Sequence, residues 1–288
     1  TEKQNKKITW RNRRIMTIEE LLIYGKSLIH KDHAKMLLAE LLEVNSLELL
    51  TMLDKKVSTD IVDKYKSMVK AVKDNKPIQY VLGNVNFYGN TFYVNENVLI
   101  PRFETEELVE TVIEYSKKLG DNLDIVDLGT GTGVIGITLD KKLSTNTVDI
   151  IDISKEALEV AKINKEKNNS KVTLIENDFL EGISKKYDII VSNPPYIKTN
   201  EEIEEIVKNN EPHLALYAGD DGLDCYRKIL KSISNNMKDK CLIAFEIGYD
   251  QAEDLDKLTN KYLKDVKTIV KKDLQGRDRI FLILKNLQ

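Results

Sequence analysis

The chain has 288 residues, 41% of them hydrophobic and 32% charged, with a formal net charge of -3. That length suffices for two domains, or for one large domain with an appendage, and the composition is that of a soluble globular protein. The near balance of charge gives no overall attraction for a phosphate backbone, and no apolar run approaches the roughly 18–20 residues that cross a bilayer.

Two cysteines, Cys225 and Cys241, lie in helical or apolar stretches without the pair spacing of a metal or redox site, and three histidines are too sparse for zinc. No metal is expected. The stretch over residues 1–16 is polar and basic, lacks the apolar segment of a secretory signal, and is expected to be a solvated tail on a cytoplasmic protein.

A helix is expected to open at Met16-Thr17-Ile18-Glu19-Glu20-Leu21. Thr17 caps it, Glu20 reaches back to complete a capping box, and Met16 and Leu21 form a hydrophobic staple. Apolar residues then recur at helical spacing through Leu22, Leu37, Leu49, Tyr65 and Val72, so residues 17–75 predict a bundle of four or five helices with little strand character. After Pro77 the chain turns aromatic and β-branched. Residues 76–103, with strand-like runs at 79–83 and 87–94, predict a β-hairpin linking two domains. A break at Pro101 precedes an acidic helix over 104–118.

Beyond it, strands and helices alternate. Strands are expected at 124–128, 147–153, 172–177, 187–192, 240–247, 266–270 and 279–284, with helices at 134–142, 154–167, 223–235 and 249–263. Seven strands with helical crossovers predict an α/β doubly wound sheet over 104–288. Ligands of such sheets bind beyond the carboxyl ends of the strands. Residues 129–133, Asp152, Asp178 and Asn193 each follow one of the first four strands, so one small ligand could touch them all.

Asp127-Leu-Gly-Thr-Gly-Thr-Gly133 has the form of a cofactor loop. Gly129, Gly131 and Gly133, with Thr130 and Thr132 between them, remove side chains where backbone must approach a ligand, and the following helix directs unpaired N–H groups at it. S-adenosylmethionine suits this loop. Because residues 131–136 also satisfy Gly-x-Gly-x-x-Gly, a nicotinamide dinucleotide competes on this feature alone. Asp152 is placed to accept two ribose hydroxyls of either cofactor, Ser154 being better placed to cap the next helix. Asp178 and Phe179 offer an acceptor and an aromatic face for an adenine.

Asn193-Pro194-Pro195-Tyr196 separates the two cofactors. The Asn193 side-chain carbonyl and the Pro194 backbone carbonyl are placed to accept both N–H bonds of a planar amino group, while Tyr196 covers its flat face. Hydride transfer needs no such grip; methylation of a poor nitrogen nucleophile does. The expectation is therefore an S-adenosylmethionine-dependent methyltransferase whose substrate pocket is Asn193, Pro194, Pro195 and Tyr196. Asn193, Pro194 and Tyr196 act at the reacting nitrogen, and the sequence places no histidine or carboxylate as a general base.

Several further segments accompany these motifs: Pro77-Ile-Gln-Tyr-Val-Leu-Gly83, Phe87-Tyr88-Gly89, Leu99-Ile-Pro101-Arg102, Glu104-Thr105-Glu106, Glu211-Pro212-His213-Leu214-Ala215-Leu216, Asp221-Gly222-Leu223-Asp224 and Asp273-Leu274-Gln275-Gly276-Arg277-Asp278-Arg279. With them the chain resembles the release-factor glutamine methyltransferase family, whose members modify the glutamine of the Gly-Gly-Gln loop at its N5 nitrogen. The resemblance implies a class I methyltransferase domain over 104–288 and a helical domain over 17–75 that helps dock the release factor. It also implies S-adenosylmethionine contacts at residues 129–133, Asp152, Phe179 and Asn193, with the substrate glutamine at residues 193–196. Release factors are then the partner, with no nucleic acid required and a monomeric enzyme. Phe103 departs from the family's usual proline. Competing expectations are methylation of a ribosomal-protein glutamine, methylation of adenine N6 in nucleic acid, and a catalytically idle binding module of the same fold.

Overall fold

The protein is represented by a computed structural model that describes residues 15–287. The basic tail expected over residues 1–16 lies outside the described residues, apart from Ile15 and Met16. Two compact units divide the chain, with the boundary between Leu82 and Gly83.

The first unit runs β1 (Met16–Thr17), α1 (Ile18–Lys26), α2 (Lys31–Leu41), α3 (Ser46–Thr51), β2 (Lys56–Val57), α4 (Thr59–Lys73) and α5 (Ile78–Leu82). The capping box forms as the sequence predicts. Glu20 N–H donates to Thr17 Oγ1 at 3.1 Å, and Thr17 N–H donates to Glu20 Oε2 at 3.0 Å. Met16 and Leu21 are both buried, in a core that also holds Leu37, Leu49, Val62 and Tyr65. The Tyr65 hydroxyl, within that core, donates to the Ala34 carbonyl at 3.0 Å, so its burial leaves no polar group unpaired.

Two local expectations fail here. Met16 and Thr17 pair antiparallel with Val57 and Lys56, although no strand was expected in this region. A two-residue ladder is too short to leave a period in the sequence. The run 79–83 was expected as strand, yet Ile78–Leu82 is helical. The Pro77 carbonyl accepts from Tyr80 and Val81 N–H at 3.1 and 3.2 Å, and Ile78, Val81 and Leu82 pack into the helical core. Tertiary burial overrides the β-branched and aromatic composition of that run.

The second unit begins with the hairpin β3 (Asn84–Phe87) and β4 (Asn90–Tyr93), followed by α6 (Phe103–Ser116). It continues as β5 (Leu123–Leu128), α7 (Val134–Lys142), β6 (Thr145–Asp152), α8 (Lys155–Lys167), β7 (Thr173–Glu176) and β8 (Tyr187–Ser192). The remainder is α9 (Glu205–Asn210), α10 (Asp224–Ser232), β9 (Met237–Glu246), α11 (Ala252–Tyr262), β10 (Val266–Lys272) and β11 (Asp278–Lys285). All seven expected strands of the sheet form. Helix α9 was not anticipated, because it buries no residue and so carries no apolar period.

The strands form one seven-stranded sheet in the order β10-β11-β9-β8-β5-β6-β7. Its pairs are parallel from β7 to β9 and antiparallel at β9-β11-β10. Alternate residues of each strand feed opposite faces. Ile125, Ile189 and Leu242 pack with α6 and α7, while Val126, Ile190 and Ile243 pack with α10 and α11. Burial on both faces explains why these strands read as continuous apolar runs. The chain winds outward from β5 through β7 and then returns to lay β8 on the other side of β5. That reversal is the topological switch point, where crossovers diverge and leave a crevice beyond the strand ends. No helix among the described residues is long and apolar enough to cross a membrane.

Candidate active site

The crevice at the switch point is a cleft of about 340 Å³, and all its lining residues belong to the second unit. One wall is the loop between β5 and α7. Gly129 and Thr130 N–H both donate to the Ile151 carbonyl, at 2.8 and 2.9 Å, which ties the loop to the end of β6. Beneath it lies Asp127, fully buried, whose Oδ2 accepts from Thr130 Oγ1 at 2.5 Å and from Gly136 N–H at 3.1 Å. Its Oδ1 has no partner among the described residues, and burial pushes the carboxyl up to about 7. Asn164 of α8 secures the far side of the loop. Its Nδ2 donates to the Thr132 and Tyr93 carbonyls, both at 2.9 Å, joining the glycine loop to the hairpin.

Asp152 stands at the end of β6 with each carboxylate oxygen holding a backbone donor. Oδ2 accepts from Gly131 N–H at 2.8 Å and Oδ1 from Ser154 N–H at 2.9 Å. Burial raises its carboxyl above the ordinary range. Asp152 lines the cleft, and a carboxylate's roughly four lone-pair sites leave capacity for a further donor there. Ser154 caps α8, accepting from Ala157 N–H at 3.1 Å, so Asp152 is not needed for that role.

Phe179 adopts φ +50°, a left-handed conformation that costs a non-glycine residue of order 1–3 kcal/mol and persists only when its surroundings enforce it. Asn177 enforces it: Nδ2 donates to the carbonyls of Phe179 and Glu181 at 3.0 and 2.9 Å, closing the turn. The Phe179 ring thereby lies over Gly129, its Cε1 3.8 Å from where a Cβ would stand there. Asp178 also lines the cleft and is ion-paired with Lys228 of α10.

The opposite wall comes from β8 and from the segments before α6 and after α9. Ser192 Oγ donates to the Leu128 carbonyl at 2.6 Å, which fixes the end of β8 against β5. Asn193 follows and lines the cleft together with Pro195. Its Nδ2 donates to Thr105 Oγ1 at 3.2 Å. Pro194 is buried, and Tyr196 packs against the core on the α10 face; neither contributes to the cleft lining. The Tyr196 hydroxyl donates to Glu246 Oε1 at 3.4 Å, and its carbonyl accepts from Gln251 Nε2 at 3.0 Å. Buried Glu211 braces the same wall, accepting from Ile100 N–H at 3.1 Å and from Arg102 Nη2 at 2.5 Å.

Residues 29–83 match the family profile described as PrmC N-terminal domain, and residues 105–215 the profile described as Methyltransferase small domain. Over 249 residues the chain is 41% identical to the release factor glutamine methyltransferase of Bacillus subtilis, an alignment covering 83% of this chain and 86% of that one. This chain belongs to the release factor glutamine methyltransferase family. The Streptococcus pneumoniae member is 43% identical over 211 residues, 73% of this chain and 75% of that one. A solved methyltransferase structure from Pyrococcus furiosus is 16% identical and shares the fold, with a TM-score of 0.52 over 77% of this chain and 100% of that one.

For a methyltransferase of this family, the cleft brings together Gly129, Thr130, Gly131, Thr132, Asp152, Asp178, Phe179, Asn193 and Pro195 as the sequence analysis grouped them. Gly133 stands just behind, as the N-cap of α7. Several residues at or behind the cleft were not anticipated from the sequence. Thr105 and Glu246 form a buried hydrogen-bonded pair at 2.7 Å behind Asn193, and Cys225 lines the cleft. Glu246 does carry a sequence signal, a lone acid closing the apolar run Cys241-Leu242-Ile243-Ala244-Phe245. Burial pushes the Cys225 thiol up to about 11, so it lines the cleft as a neutral group.

Proposed function

We propose that the chain transfers a methyl group from S-adenosylmethionine to the N5 side-chain nitrogen of the glutamine in the Gly-Gly-Gln loop of a peptide chain release factor, acting as a cytoplasmic monomer. The observation that carries this reading is the Asn193 carboxamide. With Nδ2 engaged by Thr105, the group left to face a ligand in the cleft is Oδ1, an acceptor. An acceptor selects a substrate that presents an N–H group.

The cleft fits the donor on three counts. Its volume lies within the roughly 300–1,000 Å³ range of small-ligand sites. Beyond its chain neighbours, a Cβ at Gly131 would meet no atom of the described residues within 4 Å, so the glycine leaves that space to a ligand. Asp152 keeps free lone pairs for ribose hydroxyls, and the enforced backbone of Phe179 holds a ring over the loop for an adenine. When bound, S-adenosylmethionine supplies a methyl group on a positively charged sulfur.

The chain's own residues then meet the main difficulty, which is that an amide nitrogen shares its lone pair with the carbonyl. Asn193 Oδ1, on the cleft wall, accepts an amide hydrogen, returning electron density to nitrogen and aiming it along the transfer axis. Such positioning supplies up to about 7–11 kcal/mol of barrier reduction when reacting atoms are held in near-attack geometry. That fixed acceptor also stabilises the positive charge that develops on nitrogen. Tyr196, tied to Glu246 and Gln251, holds the element rigid, and the amide proton leaves to water. The helical unit docks the release factor.

Mass spectrometry of a purified, unmodified release factor after incubation with the enzyme and S-adenosylmethionine tests the reading. The expected result is a single methyl on the loop glutamine. Asn193→Ala should abolish that gain while leaving donor affinity within a few fold. A methyl found elsewhere, or turnover retained in Asn193→Ala, would reject it.

A further inference from the structure

We propose that Glu246 is a positioning residue for methyl transfer: acting through the Thr105 hydroxyl, it holds the Asn193 carboxamide with Oδ1 toward the cleft, and it can do so only as a carboxylate. The inference rests on the reading of Asn193 as the acceptor of the substrate amide. A half-turn of that carboxamide would present two donors instead, against a substrate nitrogen that also brings donors.

The direction of the hydrogen bonds follows from counting protons. Glu246 ends β9 and is 1% exposed. An ionised carboxylate only accepts, so the Thr105 hydroxyl donates to Glu246 Oε2 at 2.7 Å. Thr105 has one hydroxyl proton. Having given it to Glu246, the oxygen can only accept from Asn193, and the group that donates at 3.2 Å is Nδ2. Oδ1 is thereby left on the cleft side. The Tyr196 hydroxyl, donating to Oε1, is held by the same carboxylate.

Protonation of Glu246 removes the constraint. With a proton on Oε2 the carboxyl donates to Thr105, whose own hydrogen becomes free to turn toward Asn193. The flipped carboxamide, with Oδ1 on Thr105 and Nδ2 toward the cleft, then satisfies the buried groups equally well. Discrimination between acceptor and donor at the substrate is lost.

Both states of Glu246 are accessible near neutrality. Arg279 faces the carboxyl from β11 and favours its charge, whereas Glu104 of α6 opposes it. Thr105 and Tyr196 donate to it from α6 and from the loop after β8, and the Tyr226 hydroxyl of α10 donates to its backbone carbonyl at 2.7 Å. Burial is the dominant influence and pushes the group up to about 7.

Two measurements on the full chain decide the matter. In protein labelled with nitrogen-15 and without substrate, the Asn193 side-chain amide signals, identified by their loss in Asn193→Ala, should titrate with a midpoint near 7 in the wild type. In Glu246→Gln they should be insensitive to pH across the neutral range. Flat wild-type signals, or the same titration in Glu246→Gln, would overturn the proposal. In methyl transfer to a release factor, kcat of the wild type should rise with pH through the same midpoint. Glu246→Gln should lower kcat about twofold, because the productive orientation of Asn193 then competes with one that satisfies the buried groups equally well, and should flatten the profile. Affinity for S-adenosylmethionine should stay within a few fold. Should Glu246→Gln fail to fold, Thr105→Val must lose the rate and Thr105→Ser must recover it; equal rates in those two variants would also overturn the proposal. A wild type that leaves release factors unmethylated would sink the functional reading, while the amide titration would still decide the role of Glu246.

Discussion

Two glycines two positions apart in the glycine loop should respond to the same substitution in different ways. Gly131 has φ +53° and an added Cβ there meets nothing within 4 Å, while Gly133 has φ +83° and its Cβ would stand 2.9 Å from Ile137 Cδ1 and 3.3 Å from Ala161 Cβ. Both alanine variants incur the left-handed backbone cost of about 1–2 kcal/mol. Gly133→Ala adds overpacking against α7 and α8, a further ~1–3 kcal/mol. In a unit of this size each kcal/mol lowers the melting temperature by about 2–4 °C. Gly131→Ala should therefore melt roughly 2–8 °C below the wild type and Gly133→Ala roughly 4–20 °C below it. Binding should rank the other way for Gly131: its methyl group stands in the space assigned to the donor, so calorimetric affinity for S-adenosylmethionine should fall at least about tenfold, or ~1.4 kcal/mol. Thermal melts and titration calorimetry on the two variants separate these effects. A Gly131→Ala protein that binds the donor as the wild type does would refute the placement of the loop against the cofactor. A Gly133→Ala protein that melts with the wild type would refute the packing argument.

Other consequences follow from the same geometry. Asp152→Asn leaves one of two backbone N–H groups facing an amide donor, so it should destabilise by about 1–3 kcal/mol and weaken donor binding in calorimetry; unchanged affinity would remove Asp152 from the ribose site. Asn177→Ala frees the two carbonyls that hold Phe179 left-handed, so donor affinity should drop with a melting shift of only a few degrees, whereas equal affinity would show that the ring does not need that turn. Asp127 and Glu246 both have carboxyls raised by burial to about 7. Their folded-state contribution is complete below the ordinary carboxylate range and is lost as pH rises through about 7, so urea midpoints should fall between mildly acidic and mildly alkaline pH. Asp127→Asn should flatten part of that fall, and a fall of undiminished size would show that this carboxyl ionises freely in the fold.

The glycine-loop side of the cleft was largely legible in the sequence because local rules write that side. A glycine loop must follow a strand and open a helix, and an acid must end the neighbouring strand; each of these demands leaves its mark within a few residues. The turn at Phe179 is almost as local, since Asn177 lies only two positions away. The helical unit was legible for a similar reason, its capping box spanning Thr17 to Glu20. Where tertiary packing decided, legibility failed. The run at 79–83 has strand composition but is drawn into a helix by Pro77 and the bundle core, and β2 exists only because Met16 and Thr17 lie beside it.

The Asn193 wall of the cleft was the harder half, for the same physical reason. Asn193 announces itself through its prolines, but what its carboxamide presents to a ligand depends on Thr105, 88 positions earlier, and on Glu246, which lies 141 positions from Thr105. Glu211 likewise reaches back 109 positions to Arg102 and 111 to Ile100. The Asp273–Arg279 interaction serves the same end, since Arg279 Nη1 donates to the Ile247 carbonyl at 3.1 Å beside the end of β9. A motif can specify which group meets the substrate, yet the sign of that group, donor or acceptor, is set by protons held on residues distant in sequence. Segments that look unrelated along the chain meet on this side of the fold: Thr105 bonds to Asn193 and Glu246, Glu211 to Ile100 and Arg102, and Arg279 to Asp273 and Ile247. In the proposed mechanism this arrangement ties recognition of an amide to the charge of one buried acid, so the orientation of Asn193 would be a property of the sheet edge and not of the tetrapeptide alone.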